Sequence, residues 1–247
     1  MSLIKLSNIN YTYPSGIKAL SNISLAIKKG EKVALMGANG SGKSSLFLLL
    51  AGVIKPEQGT YHINGETFRY CRKKRNKLCE VIGYVFQDPD VQVVSTHVDE
   101  DVAFGLRNMG LKEAVVQERI DEYLELTGIA HIKHKTIHSL SYGQKKQVAL
   151  AGVLAMEPQI TMLDEPFAWL DYQQSQRLKA ILQQLVDAGK TLIVSTHCSD
   201  FANDWADKVL VMKDGRLASD TSTHELFTND RLVDELGIAP LRKVLID

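Results

Sequence analysis

The chain has 247 residues, room for one large α/β domain or a core with a sizeable insertion. Its 29 basic residues balance 29 acidic ones, which excludes a global field for recruiting nucleic acid or an anionic membrane, and no apolar run approaches the roughly twenty residues of a bilayer span. Three cysteines, Cys71, Cys79 and Cys198, lack metal-ligand spacing; with no signal-peptide pattern, they fit a reducing compartment, the cytosol.

In chain order, residues 4–12 and 23–27 read as strands of an antiparallel opening layer around the Pro14-Ser15-Gly16 turn signal. Residues 32–36 form a buried strand, and residues 44–52 a helix stopped by Gly52 and Pro56. Residues 60–63 and 66–68 flank Asn64-Gly65 as a hairpin that continues the layer. The basic run 69–77 reads as a solvated loop or helix face rather than a contact for lipid or an acidic partner. Residues 81–86 form a strand that delivers Gln87 at its end. Composition then turns helical: residues 98–109 and 112–127 carry apolar residues at helical spacing, with Gly110 and Gly128 as stops. His131, His134 and His138 fall in a connection, and no Cys or carboxylate joins them within the run, so they are not assigned to a metal. A helix over 141–156 is capped by Ser141 and ends before Pro158. Strand 160–163 terminates in Asp164-Glu165-Pro166, helix 173–188 is amphipathic, and strand 191–195 carries Thr196-His197. Residues 209–212 and 215–218 suggest a hairpin, and the last thirty residues short helices.

Three stretches carry chemistry. The first is Gly37-Ala38-Asn39-Gly40-Ser41-Gly42-Lys43-Ser44-Ser45, a full GxxxxGKS pattern between strand and helix. Glycines there let backbone N–H groups face phosphate oxygens, and the helix start adds its positive dipole end. Lys43 reaches the β- and γ-phosphates of ATP, while the Ser44 hydroxyl ligates Mg²⁺. A plain Gly-rich turn is the competing reading, and the complete pattern with both flanks speaks against it. The second is Asp164, the carboxylate ending an apolar strand and a Mg²⁺ ligand in that setting, followed by Glu165, placed to take a proton from the attacking water. A buried structural ion pair is the alternative for this doublet. The third is Leu140-Ser141-Tyr142-Gly143-Gln144, where Ser141 and the N-terminal amides of a helix form a second anion site.

The third stretch resembles the signature motif of ABC ATPases, in which the signature of one subunit closes on nucleotide held by another. That resemblance extends over nearly the whole chain. It implies a P-loop NTPase (RecA-like) α/β core with an antiparallel β layer and an inserted α-helical subdomain. Residues 1–87 and 158–220 would be the core with its β layer, 88–157 the helical subdomain, and 221–247 a helical tail. By the same resemblance Tyr13, two residues after Tyr11, is the aromatic that stacks on adenine, and Gln87 senses Mg²⁺ and the attacking water. Asp171, in Ala168-Trp169-Leu170-Asp171, belongs to a loop that crosses the dimer interface. His197 contacts the γ-phosphate, and Ser141, Gly143 and Gln144 meet the nucleotide of the other subunit. Two departures stand out: Tyr142 where the signature usually has glycine, and the bulky Phe167-Ala168-Trp169 before Leu170.

Residues 85–92 and 98–105 resemble the ATPases of energy-coupling factor (ECF) transporters, and residues 144–158 look most like the CbiO-type cobalt or nickel uptake ATPases. This implies ATP-driven closure of two ATPase subunits, forming a homodimer because Glu165 and His197 are both kept. It also implies a transmembrane coupling subunit, a substrate-binding membrane subunit, and a location on the cytoplasmic face of the cell membrane. No nucleic acid partner is expected. An ECF importer of a vitamin such as biotin, a soluble ABC ATPase uncoupled from transport, and a module that does not hydrolyse ATP are the alternatives.

Overall fold

The computed structural model describes residues 2–242. Contacts group the chain into two compact units, one running through Leu78 and resuming at Thr191, the other being Cys79–Lys190.

In the first unit, β1 (Ser2–Thr12) and β2 (Lys18–Lys28) pair antiparallel. Alternation on β2 buries Leu20, Ile23, Leu25 and Ile27, the mark of a sheet with one face on a core. Both strands are longer than the expected 4–12 and 23–27. Asn8 (φ 52°) and Asn22 (φ 54°) sit where the pairing register shifts, and the extra residue changes the phase of the alternation that sequence periodicity follows. Next come β3 (Lys32–Met36), buried from Val33 to Met36, and α1 (Lys43–Leu50). Strands β4 (Gln58–Ile63) and β5 (Glu66–Thr67) form the expected Asn-Gly hairpin, with β4 beside β1. The basic run forms α2 (Arg72–Val81), of which only Leu78 is buried, so it is a solvated helix.

In the second unit, β6 (Ile82–Val85) precedes α3 (Val98–Asn108) and α4 (Glu113–Thr127). The α4 stripe of Val116, Ile120, Tyr123 and Leu124 is buried as its spacing predicts. Gly128 (φ 78°) ends α4, and a Cβ there would lie 1.8 Å from a guanidinium nitrogen of Arg177. Two short 3₁₀ turns occupy the histidine-containing connection, where His134 Nδ1 lies 3.0 Å from Asp99. Then follow α5 (Tyr142–Ala155), β7 (Ile160–Leu163), parallel to β6, and α6 (Tyr172–Asp187). The division differs from the expected 88–157 insertion because β6 and β7 pair with each other and α5 packs on β6, grouping the strands with the helices.

The first unit resumes with β8 (Thr191–Ser195), α7 (Ser199–Trp205), β9 (Lys208–Lys213), β10 (Arg216–Ser222), α8 (Thr223–Phe227) and α9 (Asp230–Leu236). Here β3 lies between β8 and β9, parallel to both, and β10 returns antiparallel on β9. Ala34, Met36, Val209 and Val211 pack against Ala202, Leu226, Phe227 and Val233, so the terminal helices cover one face of the strand that feeds the glycine loop. Residues 243–247 of the expected tail lie outside the described residues. Leu226 is fully buried in this cluster, so Leu226→Ala should lower unfolding free energy by about 3 kcal/mol, as a denaturant titration would read it.

Candidate functional site

In the first unit the glycine loop leaves no room for side chains where the backbone is closest. Gly37 (φ 136°) would place a Cβ 2.1 Å from the Met212 carbonyl oxygen and 2.8 Å from Ser41 Oγ. At Gly42 (φ 106°) a Cβ would come within 2.8 Å of the Ala19 carbonyl oxygen. Gly40 (φ 78°) has open space around it, so only its backbone angle favours glycine. The loop is braced from outside: the Gly215 N–H donates to the Ser41 carbonyl at 3.0 Å, and the Ser21 N–H to the Gly215 carbonyl at 2.7 Å. Lys43, 7% exposed, lies along the loop with Nζ donating to the carbonyls of Gly37 (2.6 Å) and Ala38 (3.1 Å). Ser41 Oγ is buried without a hydrogen-bond partner, whereas Ala38, Asn39, Gly40 and Ser44 are exposed at the mouth. A concave backbone loop with a lysine and a buried orphan hydroxyl fits a phosphate-bearing ligand.

Tyr13 reaches this loop's helix: its hydroxyl shares a 3.1 Å hydrogen bond with Ser45 Oγ, and Tyr11 packs edge-on against its ring at 5.0 Å. Only Tyr13 of the two has this bond, which distinguishes it physically from Tyr11. His197 is exposed just past β8, where the Thr196 N–H donates to the Leu35 carbonyl of β3 at 3.1 Å.

In the second unit β7 ends at Asp164, 4% exposed, whose Oδ2 accepts from the Tyr84 hydroxyl at 3.2 Å. Glu165 follows with φ 44°, a left-handed conformation uncommon for a non-glycine residue. Lys146 of α5 is 4% exposed, and its Nζ donates to the carbonyls of Glu165 (2.8 Å) and Ala168 (3.1 Å). Burial pulls its amine down to about 8, with Glu165 and Asp164 pulling the other way.

Ser141 caps α5 in a reciprocal box: its Oγ accepts from the Gln144 N–H at 3.3 Å, and Gln144 Oε1 accepts from the Ser141 N–H at 3.0 Å. Asp171 and Gln174 repeat the box on α6. Ser141, Tyr142, Gly143, Trp169, Asp171 and Gln174 line one open cleft of about 620 Å³. The two sequence departures meet there, Tyr142 and Trp169 packing edge-on at 6.4 Å. Tyr142 also donates its hydroxyl to the Gln87 carbonyl at 3.3 Å, and Lys145 pairs with Asp90 at 2.6 Å.

Within the second unit, then, Gln87 is joined to the start of α5, Asp164 and Glu165 adjoin Lys146, and Asp171 shares a cleft with Ser141 and Gly143. Sequence reasoning missed several supporting residues. Gln92 clamps the segment that carries Gln87, the glutamine loop, donating to the Tyr84 carbonyl (3.0 Å) and accepting from the Phe86 N–H (2.9 Å). Tyr84, Lys146, Met212 and Gly215 complete the set. Only Gly215 had a local signal, the Asp-Gly turn joining β9 and β10.

Residues 20–168 match the model of the ABC transporter family. The chain is 43% identical to the energy-coupling factor transporter ATP-binding protein EcfA2 of Methanospirillum hungatei, across 94% of this chain and 58% of that protein. It is 42% identical to EcfA2 of Clostridium perfringens, across 96% of this chain and 83% of that one. The solved structure of cbiO1 from Clostridium perfringens, described as part of the ABC transporter complex cbiONQ, aligns with a TM-score of 0.81 at 41% identity over 96% and 94% of the two chains. The dimeric ATP-binding cassette MJ0796 bound to ADP and Pi aligns with a TM-score of 0.82 at 28% identity over 89% and 98%.

The cradle predicts a contrast between its glycines. Gly37→Ala should weaken binding of a fluorescent ATP analogue by more than about tenfold, because the clash is with backbone. Gly40→Ala, meeting nothing within 4 Å, should weaken it far less.

Proposed function

The chain belongs to the ABC transporter family, as an ATP-binding ATPase subunit of the energy-coupling factor type, and we propose that it energises uptake of cobalt or nickel ions. The glycine loop around Gly37 and Gly42 carries the ATPase reading, and likeness to cbiO1 supports the metal. A vitamin such as biotin is the second reading, because the ATP-binding and catalytic residues assigned here do not depend on the cargo.

In the proposed cycle the loop from Gly37 to Ser45 holds the ATP phosphates, with Lys43 on their charge and Tyr13 stacking on adenine. Ser44, Gln87 and Asp164 offer oxygen ligands, the donor set that a hard cation such as Mg²⁺ takes, and the Tyr84 hydroxyl holds the Asp164 carboxylate in orientation. Mg²⁺ bound there would neutralise phosphate charge. Glu165 accepts the proton of the attacking water, and His197 contacts the γ-phosphate. A second copy of the chain supplies Ser141, Gly143, Gln144 and Asp171 to complete the site, so ATP favours the closed pair and hydrolysis releases it. The domain assignment follows the same division of labour: core and β layer over 1–87 and 158–220, helical subdomain over 88–157, tail from 221.

No helix among the described residues is long and apolar enough to cross a membrane. We place the chain on the cytoplasmic face through a transmembrane coupling subunit that works with a substrate-binding membrane subunit. Exposed Val91, Val94 and Phe104 support this, lying at or beside a groove of about 130 Å³ formed by Gln92, Asp101, Gly105, Gly152 and Met156. An apolar helical segment of the membrane partner suits such a groove.

Phosphate release by the purified complex tests the catalytic assignment. Glu165→Gln should keep ATP and lose at least about a hundredfold in turnover, and a wild-type rate would remove Glu165 from the mechanism. Lys43→Ala should weaken nucleotide binding itself. Cobalt or nickel accumulation in cells carrying the complex should vanish with Lys43→Ala; accumulation of a vitamin in place of metal would select the second reading.

A further inference from the structure

We propose that Lys146 is a positioning residue for the catalytic glutamate, holding the Glu165 backbone from the side of α5. The proposal rests on Glu165 being the group that activates water. Four residues, Glu165-Pro166-Phe167-Ala168, form a turn closed by the Ala168 N–H donating to the Glu165 carbonyl at 3.2 Å. Lys146 bonds both ends of that turn, the Glu165 and Ala168 carbonyls.

Local sequence does little to hold the turn. Pro166 has no N–H to contribute, and proline disfavours the helical region for the residue before it. Glu165 at φ 44° sits in a region that a non-glycine residue adopts only when its surroundings enforce it. The contacts to its carbonyl include the Ala168 N–H and the Lys146 amine. Rotation about the Glu165 backbone would swing the Cα–Cβ bond from which its carboxylate extends, so holding the carbonyl holds the root of the side chain in place.

A packing role alone does not account for a lysine here. Leu150, Leu163, Pro166, Leu170 and Leu178 line the same small cavity as Lys146, and an unbranched apolar side chain would fill that position without the cost of burying an amine. The amine is retained where two carbonyl oxygens need a donor. Because Ser141 also caps α5, one helix joins the signature serine to the support of the glutamate.

The test compares Lys146→Met, Lys146→Gln and Glu165→Gln in the intact complex by steady-state ATP hydrolysis. Lys146→Met keeps the bulk and removes the donors; kcat should fall about tenfold while KM stays within about twofold of wild type. Lys146→Gln, which keeps amide donors without the charge, should recover about a third of the wild-type kcat. A wild-type kcat in Lys146→Met, or equal losses in both variants with KM raised, overturns the proposal. Should Lys146→Met fail to fold, Lys146→Leu, which also removes the donors, takes its place: a kcat about tenfold down at unchanged KM supports the proposal, and a wild-type kcat overturns it. Hydrolysis retained by Glu165→Gln would instead overturn the reading of Glu165, a result separate from either Lys146 variant.

Discussion

The glycine loop is held by backbone against backbone. The Met212 carbonyl occupies the place where a Gly37 side chain would begin, at 2.1 Å, and the Ala19 carbonyl stands 2.8 Å from the corresponding point at Gly42. These contacts come from β9 and β2, elements distant in the chain, and Gly215 adds a hydrogen bond to the Ser41 carbonyl. The loop therefore owes its curvature to the completed first unit rather than to its own nine residues. Covering β3 and β9 with α7, α8 and α9 has the same effect from the other side: it keeps Met212 and its neighbours in register beneath the loop.

The second unit solves a different problem, which is to hold carboxylates and a signature segment in fixed relation. Tyr84 on β6 orients Asp164 on β7, and the two strands are parallel neighbours. Lys146 then links α5 to the turn after β7, while Tyr142 and Lys145 link α5 to the glutamine loop. Three consecutive kinds of polar contact thus leave the first two turns of a single helix. Of these, the Tyr142 bond ties α5 directly to the Gln87 backbone, and the Lys145 pair ties it three residues further on.

Much of this was legible in the sequence. The buried strand before Gly37, the Ser141 cap, the α4 stripe and the Asn64-Gly65 hairpin all rest on local periodicity or turn chemistry, which a chain read in one dimension retains. What escaped was long-range. Nothing near Lys146 in sequence announces that its amine meets Glu165 and Ala168, nineteen and twenty-two residues on. Tyr142 and Trp169 read as separate oddities until folding set their rings side by side. The start of β2 is at Lys18 and not at Ile23 because the irregularity at Asn22 resets an alternation that pattern matching assumes to be unbroken.

The cap at the start of α5 explains how a tyrosine can stand at position 142. Gln144 N–H is taken by Ser141 Oγ, Ser141 N–H by Gln144 Oε1, and Lys145 N–H by the Ser141 carbonyl. The helix start is left with the N–H groups of Tyr142 and Gly143 as the donors this cap does not consume. A donor supplied by the main chain is indifferent to the side chain it carries, so position 142 tolerates a ring. Position 143 is tighter, since a Cβ there would lie 2.9 Å from Gln174 Oε1, the end of a flexible side chain that would have to shift. Of two adjacent residues offering the same group, one carries a ring freely and the other could gain a side chain only if Gln174 gave way.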